Sequence, residues 1–206
     1  MKDDPPPHPP VHALLADGTT VRIRPATPAD RDQLEGLYTG MSPQSLRMRF
    51  FSVSPRSARQ AADHVCAPQR PGHRALLAER SGQVIGVAEY HAGESNPAGA
   101  ELALAVADGL HHRGVGTLLV EHLVTAARAD GITTFTADTL SENQRVLRLF
   151  ADLGLTTTKR FEGPQVHCAI ELGQNEKRTC RRRMPEAAPL TWPAWNPCCG
   201  PGRSPS

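Results

Sequence analysis

Between residues 20 and 172, hydrophobic positions follow two periods in turn. Val21 and Ile23 alternate with Arg22 and Arg24, the spacing of a half-buried strand, and Pro25-Ala26-Thr27-Pro28 ends the run. Thr27 then reads as an N-cap with Pro28 at the first helical position, and Leu34, Leu37, Tyr38 and Met41 form an apolar stripe. A second short helix is expected from Ser42-Pro43, carrying Leu46, Met48, Phe50 and Phe51, and a third over Ser57–Val65. Arg74–Glu79 and Val84–Tyr90 read as strands joined at Ser81-Gly82, and a loop over Ala92–Gly99 leads into a strand at Glu101–Val106. Val115, Leu118, Leu119, Leu123 and Ala126 return to helical spacing, closed by Gly131. A strand at Ile132–Asp138 follows. Ser141-Glu142-Asn143-Gln144 then reads as a capping box opening a helix with Val146, Leu147, Phe150 and Leu153 inward. Thr156–Phe161 and Val166–Leu172 close the pattern as a hairpin around Gly163-Pro164. Strands and helices mixed in this order predict an α/β layered sheet.

The ends have a different character. Of 19 prolines, five fall in residues 1–10 and six in residues 185–205. Residues 1–19 are expected to be a disordered Pro-rich lead-in, 20–172 the folded domain, and 173–206 a disordered basic, Pro-rich tail. The tail holds six Lys/Arg and two Asp/Glu, so it carries +4 while residues 1–172 carry −2 of the chain's net +2. The basic run Lys177–Arg183 is read as a solvated segment, and the body gives no electrostatic reason to expect nucleic acid. No run of about 18 apolar residues exists to span a membrane, and the N-terminus has no apolar stretch of a secretory signal. Five cysteines with no C-x-x-C pair speak against a disulfide framework or structural zinc, and favour a reducing, cytoplasmic setting. His111, His112 and His122 have no carboxylate or cysteine at a usual ligand spacing, so no metal is expected.

The stretch Leu102–Leu119 carries the clearest chemistry. A strand runs through a short loop into Gly114-Val115-Gly116 and an amphipathic helix, which aims backbone N–H groups at a helix N-terminus where phosphate oxygens can approach closely. A Rossmann turn would need a third glycine and a later acidic residue, and a P-loop would need Gly-Lys-Ser/Thr; neither occurs. Taken alone, the turn is equally a tight connection that lets helix and strand pack.

In context it resembles the GNAT superfamily of acyl-CoA-dependent N-acyltransferases, whose phosphate-binding signature Q/R-x-x-G-x-G/A aligns with His111-His112-Arg113-Gly114-Val115-Gly116. Three further landmarks agree: the opening Val21–Ala26 with Ala29-Asp30, the strand Leu104-Ala105-Val106, and Asn143 followed by Leu149–Gly154. Ser42–Phe50 and Ala100–Ala103 resemble the bacterial protein-lysine acetyltransferase branch, which often acts on acyl-CoA synthetases. The resemblance implies a GNAT fold, a mixed central sheet flanked by helices. It also implies acetyl-CoA as co-substrate and a primary amine as acceptor, either a protein lysine or a small molecule. The turn 111–116 with Thr117 would hold the diphosphate, Leu104, Ala105 and Val106 would pair with the pantetheine arm, and Asn143 would bond it. Glu101, otherwise a strand-end carboxylate, falls at the family's general-base position, with Glu89 as second choice. Two departures stand out: His111 replaces Gln/Arg, and Phe150 replaces the tyrosine that many members use as general acid. A non-catalytic acyl-CoA-binding sensor is therefore the alternative from a different class.

Overall fold

The structure, a computed structural model, describes residues 9–15, 17–68, 70–93 and 96–173. The elements run β1 (Val11–Leu14), β2 (Thr20–Pro25), a 3₁₀ turn (Pro28–Asp30), α1 (Arg31–Thr39), α2 (Pro43–Phe50) and α3 (Pro55–Val65). They continue with β3 (His73–Arg80), β4 (Gln83–Gly93), β5 (Asn96–Val106), a second 3₁₀ turn (Asp108–Leu110) and α4 (Val115–Ala129). The last are β6 (Thr134–Leu140), α5 (Gln144–Asp152), β7 (Thr156–Glu162) and β8 (Gln165–Glu171).

The eight strands form one mixed sheet in the order β1-β2-β3-β4-β5-β6-β8-β7, parallel at β5–β6 and antiparallel elsewhere. Strand alternation divides its side chains between two cores. Ala75, Leu77 and Val87 join Leu34, Tyr38, Ala58 and Ala62 of α1 and α3. Their neighbours Leu76, Ala78 and Ala88 join Val115, Leu119 and Leu123 of α4. Gly86 sets how closely α4 lies on the sheet. A Cβ there would stand 3.1 Å from Leu119 Cδ1, 3.2 Å from the Ala105 carbonyl oxygen and 3.3 Å from Val115 Cγ1.

The feature that builds the site is a parting of strands. β5 and β6 pair at Gly99–Thr134, Ala100–Phe135 and Glu101–Thr136, and no further. β5 continues to Val106 and β6 to Leu140, so a wedge opens between them beyond Glu101.

Three local expectations are corrected. Val11–Leu14, assigned to a disordered lead-in, is an edge strand in register with β2, Val11 opposite Ile23. The loop expected over Ala92–Gly99 is largely strand, because β4 runs to Gly93 and β5 starts at Asn96. Helix α5 is capped by Asn143 rather than Ser141: the Asn143 side chain accepts from Val146 N–H at 3.5 Å, and Gln144 Nε2 donates to the Ser141 carbonyl at 2.8 Å. The expected tail, residues 173–206, lies outside the described residues beyond Gly173.

Candidate active site

A cavity of about 780 Å³ occupies the wedge, bounded by β5, the first turn of α4, α5 and one side of α2. At its floor Gly114 adopts φ +87°, a left-handed conformation that suits glycine, and turns the chain into α4. The first N–H groups of any helix lack an intrahelical acceptor, and Gly114 supplies no side-chain cap. Val115, Gly116 and Thr117, whose donors these are, all line the cavity. A Cβ on Gly116 would lie 3.2 Å from Leu149 Cδ1 and 3.4 Å from Leu104 Cδ2, so its absence keeps the gap between α4, α5 and β5 open.

The β5 edge adds a second row of donors. Ala107 N–H donates to the Ile85 carbonyl at 2.9 Å, and the register pairs Ala105 with Val87 and Ala103 with Glu89. Alternate residues therefore turn their polar groups to opposite sides: Ala105 faces β4, while Leu102, Leu104 and Val106 face the wedge. Of the three residues expected to offer backbone groups to a ligand, Leu104 and Val106 are placed to do so and Ala105 is not.

The other expected residues divide similarly. Glu101 is exposed, lines the cavity, and sits where β5–β6 pairing ends. His111 lines the cavity too, but its ring is occupied: Nε2 lies 3.0 Å from the Val106 carbonyl, and Nδ1 meets Arg145 Nη1 at 2.5 Å. Those partners assign the proton to Nε2, and both ring nitrogens are engaged in bracing the turn. Its neighbour His112 takes φ 64°, and Arg113 extends away to Asp17 Oδ2 at 2.6 Å, which leaves its backbone at the turn. The Asn143 side chain caps α5 and donates to Thr139 Oγ1 at 3.0 Å while lining the cavity.

Sequence reasoning missed several groups. Arg145 and Arg148 on α5 line the cavity, and Arg145 reaches His111. Asp108 fastens α2 across the mouth, accepting from Ser42 N–H at 2.8 Å and Ser45 Oγ–H at 2.6 Å. Burial pushes the Asp108 carboxyl up, but the Ser45 and Ser42 bonds outweigh it and hold the group below its ordinary range. The signal for this clasp was present only as two serines at the start of a helix, sixty-odd residues from their acceptor.

Phe150 lines the cavity and is buried, so a phenol is absent from that position. Neither tyrosine compensates: Tyr38 is enclosed in the α1 core and Tyr90 is hydrogen-bonded to Asp130. Glu89 is also withdrawn from the cavity. It is buried beneath α2 and α3, where Arg49 Nη2 donates to Oε1 at 3.1 Å and His73 Nε2 lies 3.3 Å from Oε2. Nearby His64 is held below the ordinary histidine range, mainly by burial, with Glu89 opposing and His73 adding.

A model of the family described as Acetyltransferase (GNAT) family matches residues 43–155, more than half of the chain. The chain belongs to this family. Among GNAT proteins it is 25% identical over 147 residues to Acetyltransferase Pat of Mycolicibacterium smegmatis, covering 70% of this chain and 44% of that protein. The chain thus spans less than half the length of that relative. The GNAT domain of S. lividans PAT superposes with a TM-score of 0.74 at 30% identity, over 82% of this chain and 99% of that domain. The Salmonella typhimurium protein yncA, described with its cofactor acetyl-CoA, shares the fold with a TM-score of 0.62 at 20% identity, over 84% and 99% of the two chains. The GNAT membership and the mixed-sheet fold expected from the sequence are both borne out. Among the described residues, no helix is long and apolar enough to cross a membrane.

Proposed function

We propose that this GNAT chain moves the acetyl group of acetyl-CoA to a primary amine, a protein lysine, by direct attack in a ternary complex with Glu101 as general base. The observation that carries the reading is the wedge. It joins an uncapped helix N-terminus to an unpaired strand edge, two sets of N–H donors on one cavity. A diphosphate suits the first set, where the helix dipole adds to the hydrogen bonds, and an amide-bearing arm suits the second. The donor set therefore fits acetyl-CoA, which supplies the activated acetyl group when bound.

In this account the 111–117 turn holds the diphosphate through backbone donors, with Arg145 and Arg148 adding charge. Leu104 and Val106 align the pantetheine arm, and Asn143 borders it. Glu101 stands at the base of the wedge, where the arm's reactive end meets the acceptor. An unperturbed lysine has a pKa of about 10.4, so roughly one molecule in 10³ is neutral at pH 7. Glu101 takes the proton that blocks attack, directly or through water, offsetting part of a gap of about 4.6 kcal/mol. Among the described residues no cysteine lines the cavity, and the one serine that does, Ser45, donates to Asp108; this supports transfer without a covalent enzyme intermediate. With Phe150 unable to donate a proton, protonation of the departing thiolate is left to solvent.

The acceptor is read as a lysine on a protein such as an acyl-CoA synthetase, as the resemblance of Ser42–Phe50 and Ala100–Ala103 to the bacterial protein-lysine acetyltransferase branch implies. A cytoplasmic setting follows from the cysteine usage; the described cysteines, Cys66 and Cys168, are free and buried. Phe150 favours a second reading, a sensor that binds acyl-CoA without turnover. An acceptor screen with acetyl-CoA, spanning acyl-CoA synthetases and small amines, separates the readings by free thiol and by an acetyl mass shift. Tight CoA binding with no thiol release from any acceptor would favour the sensor.

A further inference from the structure

Outside the wedge, the fold brings together ligating side chains that lie far apart in sequence. His64 comes from the last turn of α3, His73 opens β3, and Glu89 lies within β4. One ligand atom from each falls within 4.8 Å of the other two. Glu89 Oε2 is 3.3 Å from His73 Nε2 and 4.0 Å from His64 Nε2. His91 stands beside them, its ring centroid 5.8 Å from that of His64 and 6.1 Å from that of His73. The His73 and Glu89 side chains are 2% and 10% exposed, while His64 is 43% exposed and forms the entrance.

We infer that His64, His73 and Glu89 form a binding site for a divalent transition-metal ion of the zinc class, with His91 or water completing the coordination. Zinc binds imidazole nitrogen at about 2.0–2.1 Å and carboxylate oxygen at about 2.0–2.2 Å, so the edge of a tetrahedral site measures about 3.3–3.5 Å. The His73–Glu89 separation already matches that edge; the exposed His64 has to close by about 0.5–0.7 Å on Glu89, and its separation from His73, within 4.8 Å, has to shorten to the same edge. Two imidazoles and one carboxylate suit zinc and its neighbours, whereas calcium and magnesium take oxygen donors. Arg49 divides the labour on Glu89. It holds Oε1 at 3.1 Å and so aims Oε2 at the histidines, the outer-shell arrangement that orients a carboxylate ligand. Among the described residues the Nδ1 of His73 has no hydrogen-bond partner, and the polar contact of that buried ring is on its Nε2 side. Arg49, bonded to Glu89, and Arg70 near His64 oppose an incoming metal and lower the affinity below that of an all-anionic site.

Neither motif spacing nor the wedge suggests this site, and it does not depend on the acetyl-transfer reading. The test is titration of the full chain, stripped with chelator, with Zn²⁺ by calorimetry and with Co²⁺ by visible absorption. One equivalent is expected, with the visible bands of a low-symmetry Co²⁺ site carrying nitrogen and oxygen ligands. His64→Ala removes a half-exposed ligand and leaves the buried core alone, so it should fold and lose at least tenfold in affinity. Glu89→Gln should lose as much. Absence of binding in the parent overturns the proposal. So does affinity unchanged in His64→Ala, or a Co²⁺–thiolate charge-transfer band that survives in that variant, which places the ion on cysteines.

Discussion

Replacing Gly116 by aspartate puts a side chain and a charge into the gap between α4, α5 and β5. The new Cβ would meet Leu149 Cδ1 at 3.2 Å, Leu104 Cδ2 at 3.4 Å and Val106 Cγ2 at 3.7 Å. Both close neighbours are the ends of leucine side chains, which can give by a few tenths of an ångström. Aspartate is also no worse a helix former than glycine, so the fold should survive. The electrostatic effect is larger. A carboxylate about 6 Å from a phosphate charge, at an effective dielectric of about 40, is repelled by about 1.4 kcal/mol. Two such charges on a diphosphate give about 2.8 kcal/mol, or roughly a hundredfold loss of CoA affinity. Calorimetry with CoA and with pantetheine, which lacks the diphosphate, separates charge from shape. Gly116→Asp should weaken CoA about a hundredfold and pantetheine far less, while Gly116→Ala shows only the steric part. Thermal melts verify the fold of both variants. A folded Gly116→Asp protein that binds CoA as tightly as the parent would refute the placement of the diphosphate at this turn.

Two further substitutions test the frame around the site. Gly86→Ala pushes a methyl group against a backbone oxygen at 3.2 Å and two α4 side chains, so it should destabilise the fold by about 1–3 kcal/mol in urea melts and weaken CoA binding as α4 shifts. Asp30 is held at about 2 against an ordinary 3.8, chiefly by its bonds to Arg24, which grips it at 2.7 and 2.8 Å. Its folded value is depressed, so the stabilisation is present above about pH 3.8 and is lost as pH falls through about 2. Asp30→Asn should therefore cost about 1–2 kcal/mol at neutral pH after solvent screening, and the gap between parent and variant melts should narrow below pH 4. A gap that stays constant down to pH 2 would assign the loss to packing instead.

What the sequence revealed depended on the range of each interaction. β2 and α4 were legible because burial on one face imposes a period on nearby residues. β1 was not. Its four residues lie at the sheet edge with Leu14 largely exposed, so no apolar alternation marks them. The start of α5 misled because Ser141 and Gln144 have the spacing of a capping box, but Ser141 N–H donates to the Pro164 carbonyl in the β7–β8 turn. The Gly114 turn and Glu101 were visible as a motif and its neighbour. The wedge that gives them meaning was not, because where β5 and β6 stop pairing is a property of two strands and the sheet twist. Asp108 with Ser45, Arg145 with His111, and the histidine–Glu89 cluster are long-range in the same sense.

A pH–rate profile decides whether the wedge delivers an acetyl group to an amine deprotonated by Glu101. Turnover of a lysine acceptor with acetyl-CoA should be measured for the parent and Glu101→Gln from about pH 6 to about pH 10, approaching the lysine pKa. Glutamine keeps the shape of the side chain but takes no proton, so CoA affinity should hold while neutral-pH turnover falls by about 10²–10⁴. The deficit should shrink as pH rises, because the acceptor then arrives already neutral. Equal turnover at neutral pH, or a deficit unchanged across the range with CoA still bound, would contradict the assignment.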